Sequence, residues 1–330
     1  MINKGNGVSA IEMLNCTSLL ALVSSGDSPG SSPRKLMLWN SQTKESICEL
    51  PFQSTILAVR MNRNHLIAVL DSNIHVFELG TMNNTHTLAA PMNCGLIDLT
   101  HNIKEDDKRS IIAFKGLQGG DVMLFDCNTL RVISHVKAHK TPISALSFNS
   151  DATLLATASA KGTVIRVFAI PSAQHLVSFR RGTYSCSINS LSFSPCSKYL
   201  SAGSSSGTVH IFSLDSVIDD KTKQTSVFSI SNIVPIIAQE FAESTRAVLV
   251  IKIPGLEGEF IASLISGNGQ KGEIRELLKL IVCTRNGYLY RFSIYQPLKL
   301  DANEKLPASI NYILEDEYNV VNDFIDAAVR

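Results

Sequence analysis

Arginine suits phosphate because its planar guanidinium offers a rigid fork of hydrogen-bond donors and keeps its charge at any physiological pH. Two arginines stand side by side in the run Phe179-Arg180-Arg181-Gly182. A phosphomonoester needs fixed cations and several donors, and such a pair supplies both. Successive side chains of an extended strand point to opposite sides, so the two arginines are expected to serve two neighbouring pockets, with Gly182 letting the chain turn. The surroundings favour anions: residues 131–210 hold eight Lys or Arg against one acid, Asp151, a charge of +7 in a chain whose total is +1, leaving −6 elsewhere. Against this stands a plainer reading, in which an Arg-Arg pair is solvated surface and Phe179 is a packed strand residue.

The elements that must position these arginines recur along the chain. A short strand-like run ending in an aromatic appears at LMLW, IHVF, VMLF, VIRVF, VHIF and LYRF, closing on Trp39, Phe77, Phe125, Phe168, Phe212 and Phe292. The spacings are 38, 48, 43, 44 and 80 residues, and about 40–45 is the length of a four-stranded propeller blade. The last interval reads as one blade plus insertions. Two earlier runs precede each closing strand, for example PISALSF with LLATASA and INSLSFS with YLSAGSS, and AVLVIKI with LKLIVCT is expected to open the last unit. They are rich in Val, Ile, Leu, Ser and Thr and bounded by turn residues, as half-buried strands are. A more polar fourth run follows, as in SICEL, HTLAA, RVISHV, HLVSF and QEFAE. The expected fold is all-β, a WD-repeat-like β-propeller with six recognisable blades at about 8–52, 53–92, 93–138, 139–183, 184–244 and 245–318. A βαβ arrangement needs helices between strands, and helical spacing occurs only within 310–330. A β-sandwich explains strands but not a near-constant period.

Composition closes off other classes. With 45% hydrophobic and 18% charged residues the chain can bury a core. No stretch reaches the roughly 20 apolar residues needed to cross a bilayer, and the opening residues lack a signal-peptide core, so a cytosolic protein is expected. Seven scattered cysteines without a CxxC pair suggest reduced thiols, not disulfides or zinc. The inner strands offer chiefly Ser, Asn and aliphatics, so no catalytic constellation, metal site or cofactor is expected. Nucleic acid is disfavoured because no stacking aromatics accompany the arginines.

The segment ATASAKGTVIRVF, then FRRG, then SSGTVHIF, together with PGSSPRKLMLWN near the start, closely resembles the PROPPIN family, the phosphoinositide-binding propellers of autophagy that include the WIPI proteins. The similarity runs from about Val8 to Ile294. It implies a scaffold, not an enzyme, that binds phosphatidylinositol 3-phosphate and the 3,5-bisphosphate. Such a protein is cytoplasmic and peripherally attached to phagophore, preautophagosomal, endosomal or vacuolar membranes. A generic WD-repeat interaction scaffold without lipid binding is the alternative.

Residue by residue, the resemblance assigns Arg180 to a first pocket with His139, Thr157, Ser159, Thr163 and Arg166, and Arg181 to a second with Ser204, Ser205, Thr208 and His210. Thr163 and Thr208 sit in KGT and SGT turns, and the histidines in WD-like positions, so structural roles stand beside these. The insertion at 215–240 corresponds to the family's membrane-inserting loop, with Val227, Phe228, Ile230, Ile233, Val234, Ile236 and Ile237 as its apolar members; packing on its own blade is the other reading. The Gly26–Lys35 loop, at Ser32, Pro33, Arg34 and Lys35, corresponds to a contact for an autophagy lipid-transfer protein. Family members have seven blades, and the match begins at Val8 with the second. A chain without the first blade is therefore expected, with six blades in seven-blade geometry. The tail from residue 301, with seven acids and two bases, would then partly complete the last blade through residues 309–318.

Overall fold

The short apolar runs bury their faces by pairing into sheets. The computed structural model describes residues 7–26, 31–90, 94–101, 109–214, 245–253, 256, 258–271, 274–297 and 310–319. Among these, the strands form six sheets and no helix occurs. The first sheet is the meander β1 (Val8–Met13), β2 (Leu19–Ser24), β3 (Lys35–Asn40) and β4 (Glu45–Pro51). The second repeats it with β5 (Ala58–Met61), β6 (His65–Val69), β7 (Asn73–Glu78) and β8 (Asn84–Ala89). The third uses β9 (Ile97–Leu99), β10 (Ile111–Lys115), β11 (Asp121–Asp126) and β12 (Arg131–Lys137). The fourth takes β13 (Ile143–Phe148), β14 (Leu154–Ser159), β15 (Val164–Ala169) and β16 (His175–Arg180), and gains a short parallel edge strand, β20 (Thr245–Arg246).

The fifth sheet is β17 (Ile188–Phe193), β18 (Tyr199–Ser204), β19 (Thr208–Ser213) and β21 (Leu249–Lys252). The sixth is β22 (Phe260–Lys271), β23 (Ile274–Thr284), β24 (Tyr288–Pro297) and β25 (Asn311–Asn319). Apart from the parallel β20, each is a four-stranded antiparallel meander, the topology of a propeller blade.

The described residues divide into two compact units. One runs to Leu146 and adds Asp151–Thr153 and Pro171–Ala173; the other takes Ser147–Ser150, Leu154–Ile170 and the chain from Gln174. Within the first, Val23, Leu36, Leu38, Val59, Leu66 and Phe77 pack the first sheet on the second, and Ile67, Val76, Ile97, Ile112 and Phe125 pack the second on the third. Within the second, Val209, Ile251, Phe260, Leu264, Leu280 and Phe292 join the fifth and sixth sheets. All six closing aromatics are buried, the least so being Trp39. Burial of such faces is the main favourable term of a fold like this.

A polar brace repeats as well. Asn62 Nδ2 donates to Ser110 Oγ at 2.9 Å, and Asn149 Nδ2 donates to Ser197 Oγ at 2.9 Å. Each asparagine also accepts a backbone N–H through Oδ1, from His65 at 2.8 Å and from Leu154 at 2.8 Å. Each ties a turn of one sheet to the next and satisfies a buried amide.

One reading of the sequence needs correction. The run at 247–253 was expected to open the last sheet, yet Leu249–Lys252 is the outer strand of the fifth and the sixth begins at Phe260. The exposure pattern explains this: Val250 and Lys252 are exposed while Ile251 is buried, as at a sheet edge with one covered face. Inner strands hide more of themselves. The QEFAE run expected as that outer strand lies outside the described residues.

The acidic C-terminal segment contributes β25, antiparallel to β24. Its acids meet cations of the same sheet: Glu315 lies 3.1 Å from Lys279 Nζ and 3.1 Å from Arg291 Nε, and Asp316 pairs with Arg291. These carboxylates are therefore matched locally.

Candidate anion-binding site

Strand register decides which side chains share a face. Thr157 is opposite Arg166, Arg166 is opposite Ser178, and Val164 is opposite Arg180. Thr157, Ser159, Arg166 and Arg180 therefore lie on one face of the fourth sheet. Phe179 lies on the other, fully buried and stacked on Phe212 of the fifth sheet with ring centroids 4.7 Å apart. That contact anchors the strand carrying the arginines. Thr157 and Ser159 are buried, and Thr157 Oγ1 donates to the Arg166 carbonyl at 3.4 Å. His139, the remaining expected partner of Arg180, belongs to the first unit, where its amide donates to the Gly120 carbonyl at 2.9 Å.

Arg181 follows the end of β16 and is held by backbone carbonyls. Its Nε donates to Gly162 O at 2.6 Å, its terminal nitrogen donates to Tyr184 O, and its own amide donates to Thr163 O at 3.0 Å. Thr163 thus serves through its carbonyl. Gly162 is required where it stands: φ is +61° and an added Cβ would come 1.8 Å from Cys186 O. Gly182, expected to turn the chain through its conformational freedom, has no positive φ and nothing within 4 Å of an added Cβ. Its effect is to leave space.

That space is a cleft of about 320 Å³ lined by Arg180, Arg181, Gly182, His210, Arg246 and Val250 among others, none of them acidic. Two larger hollows, of about 550 and 500 Å³, hold no comparable cation cluster. In one, Arg285 is paired with Glu259 at 3.2 Å; the other contains Asp71 and no Arg or Lys.

His210 is 8% exposed, and its Nδ1 is buried without a hydrogen-bond partner. Burial, reinforced by the Arg181 guanidinium, pushes its pKa down to about 4. The imidazole is neutral at neutral pH and carries an unmet polar atom. Such a group, in a cleft whose described lining holds three arginines and no acid, fits an anion with several acceptor oxygens.

The other expected members of the second pocket do not line the cleft. Ser204 is buried, with Oγ 3.1 Å from the Thr208 carbonyl, 2.9 Å from Thr208 Oγ1 and 2.9 Å from Ser206 Oγ. Ser205 donates its amide to Ser187 O at 2.9 Å. These residues stabilise the turn around Gly207. Arg246 was not anticipated. It reaches the cleft because β20 pairs in parallel with β16, setting Arg246 opposite Arg180. Its sequence signal, a lone arginine before AVLVIKI, was absorbed into a strand assigned elsewhere.

Ser32–Lys35 forms a tight turn: Arg34 N donates to Ser32 Oγ at 3.3 Å, Ile56 N to Pro33 O at 2.9 Å, and Lys35 pairs with Glu49. The seven apolar residues from Val227 to Ile237 lie outside the described residues. Among the described residues no group of His, Cys, Asp and Glu could hold a metal ion, and no helix is long and apolar enough to cross a membrane.

A family model described as PROPPIN matches residues 2–297. The chain is 36% identical to Autophagy-related protein 18 of Yarrowia lipolytica over 285 residues, 79% of this chain and 71% of that one. It is 35% identical to WD repeat domain phosphoinositide-interacting protein 2 of Mus musculus over 300 residues, 87% of this chain and 64% of that one. Several further relatives named Autophagy-related protein 18 are spanned to only 44–52% of their length. The solved structure of Kluyveromyces lactis Hsv2 is similar in fold, with a TM-score of 0.69 at 18% identity, covering 95% of this chain and 87% of that one.

Proposed function

Because the chain belongs to the PROPPIN family, we propose that it is a membrane-recruited scaffold of autophagy, not an enzyme, that binds phosphatidylinositol 3-phosphate and the 3,5-bisphosphate. The observation carrying this reading is the cleft, without an acid among its described lining residues, that Arg180, Arg181 and Arg246 share with a buried His210 whose Nδ1 is unpartnered. A phosphomonoester offers the negative charge and the acceptor oxygens that clustered guanidinium groups bind. Thr157, Ser159 and Arg166, which share a sheet face with Arg180, form part of the other head-group pocket, the first of the two that the family resemblance implies. Ser204, Ser205 and Thr208 hold the turn beside the Arg181 pocket.

Head-group binding alone is a weak anchor. In this reading the apolar residues of 215–240 enter the bilayer interface and combine with the two pockets, which makes docking stable yet reversible. The Ser32–Lys35 turn receives an autophagy lipid-transfer protein. Phagophore, preautophagosomal, endosomal and vacuolar membranes are the expected sites of attachment.

Flotation with phosphatidylcholine liposomes, with and without phosphatidylinositol 3-phosphate, tests the proposal. The unaltered protein should float only with the phosphorylated lipid, and Arg180→Thr with Arg181→Thr should stay at the bottom. A thermal melt of the variant separates lost binding from lost fold. Undiminished flotation of a folded double variant would leave a WD-repeat scaffold without lipid binding as the reading.

A further inference from the structure

Large aromatic side chains are rarely left fully in water, yet Tyr184 is 86% exposed. Its backbone is nonetheless fixed. Arg181 donates to the Tyr184 carbonyl, the Ser185 hydroxyl donates to Lys161 O at 3.0 Å, and the Cys186 amide donates to the same carbonyl at 3.3 Å. One side chain, Arg181, thus lines the cleft and holds the turn that presents the aromatic. Beyond the cleft, Val248 is 41% exposed and Val250, which lines it, is 47% exposed.

We propose that Tyr184, with Val248 and Val250, forms a bilayer-facing rim around the arginine cleft, so that the same surface that grips a lipid head group also enters the interface. The inference rests on the lipid-binding reading above. The occupant is the head-group and acyl boundary of an anionic membrane. Two observations select it: the three arginines among the described lining residues of the cleft complement an anionic surface, and Val250 belongs both to the apolar rim and to that lining. Tyrosine suits this depth because its ring is apolar and its hydroxyl stays wet. The rim is separate in sequence from the 215–240 segment.

The test compares two ligands on the full chain: phosphatidylcholine vesicles carrying phosphatidylinositol 3-phosphate, and soluble inositol 1,3-bisphosphate. Tyr184→Ser should weaken vesicle binding by about tenfold, the size expected for losing one partly inserted side chain, while soluble head-group affinity stays unchanged. Tyr184→Trp should keep vesicle affinity, and its emission should shift blue only with the phosphorylated lipid; Trp39, the natural tryptophan, is buried and serves as a constant background. Wild-type vesicle binding by the serine variant, an equal loss of soluble head group, or an unshifted tryptophan overturns the rim. If the unaltered protein binds neither vesicle nor soluble head group, the lipid reading falls and the rim falls with it.

Discussion

Acidifying the medium from about pH 7 to about pH 5 should destabilise the protein at one identifiable side chain, His210. Its pKa is lowered in the folded state from the usual 6.5 to about 4 by burial first and by Arg181 second. The unfolded chain therefore takes up the proton first, so the contribution is present above about pH 6.5 and is lost as pH falls towards 4. Proton linkage with these two values gives a loss of about 2 kcal/mol between pH 7 and pH 5. His65 and His75 are also lowered by burial and act in the same direction. The measurement is therefore a difference: denaturant midpoints at both pH values for the unaltered protein and for His210→Gln, whose pH penalty should be smaller by about that amount. A bound phosphomonoester reverses the penalty, because it offers an acceptor and a negative charge to an imidazole that has neither. The ratio of unaltered to His210→Gln affinity for soluble head group should therefore rise from about pH 7.5 to about pH 6, a comparison in which the phosphomonoester's own ionisation near pH 6 cancels. Calorimetry in two buffers of different ionisation heat should show more proton uptake by the unaltered protein than by His210→Gln. Identical pH slopes and identical proton uptake in the two proteins would refute the assignment of His210 to the site.

Phe179→Ala removes a fully buried ring stacked on Phe212 and should cost about 3–5 kcal/mol, read as a lower thermal midpoint together with weakened lipid binding. Gly207→Ala places a Cβ 2.1 Å from Leu256 O at a φ of +72° and should cost at least about 1–3 kcal/mol, whereas Gly182→Ala, with nothing within 4 Å, should melt like the unaltered protein. An equal effect of the two glycine substitutions on the melting midpoint would contradict these conformations.

How far the sequence reached depended on the kind of pattern. A strand ending in a buried aromatic every 40 or so residues is a local signal. Trp39, Phe77, Phe125, Phe168, Phe212 and Phe292 announced the meander before any pairing was known, because a half-buried strand must alternate and must be followed by a turn. The arginine pair was equally legible as a candidate anion site from its residue types, whereas the alternation expected to send Arg180 and Arg181 into two neighbouring pockets did not separate them, since both line one cleft. Local patterns failed where two strands of similar composition could belong to either of two sheets. Leu249–Lys252 reads the same whether it closes the fifth sheet or opens the sixth, and only its hydrogen bonds to β19 choose.

The site divides along the same line. Residue type established that Arg180, Arg181 and His210 could meet a phosphate. Which groups share one cleft was settled by tertiary pairing: β20 lies parallel to β16 and brings Arg246 beside Arg180, and burial leaves the His210 nitrogen unpartnered. Ser204 and Thr208, equally plausible ligands by type, turn to each other instead. Side-chain periodicity reports the face a residue occupies, a property of its neighbours in the chain. The partner across that face depends on where distant segments return, and that is decided only when the sheets pack.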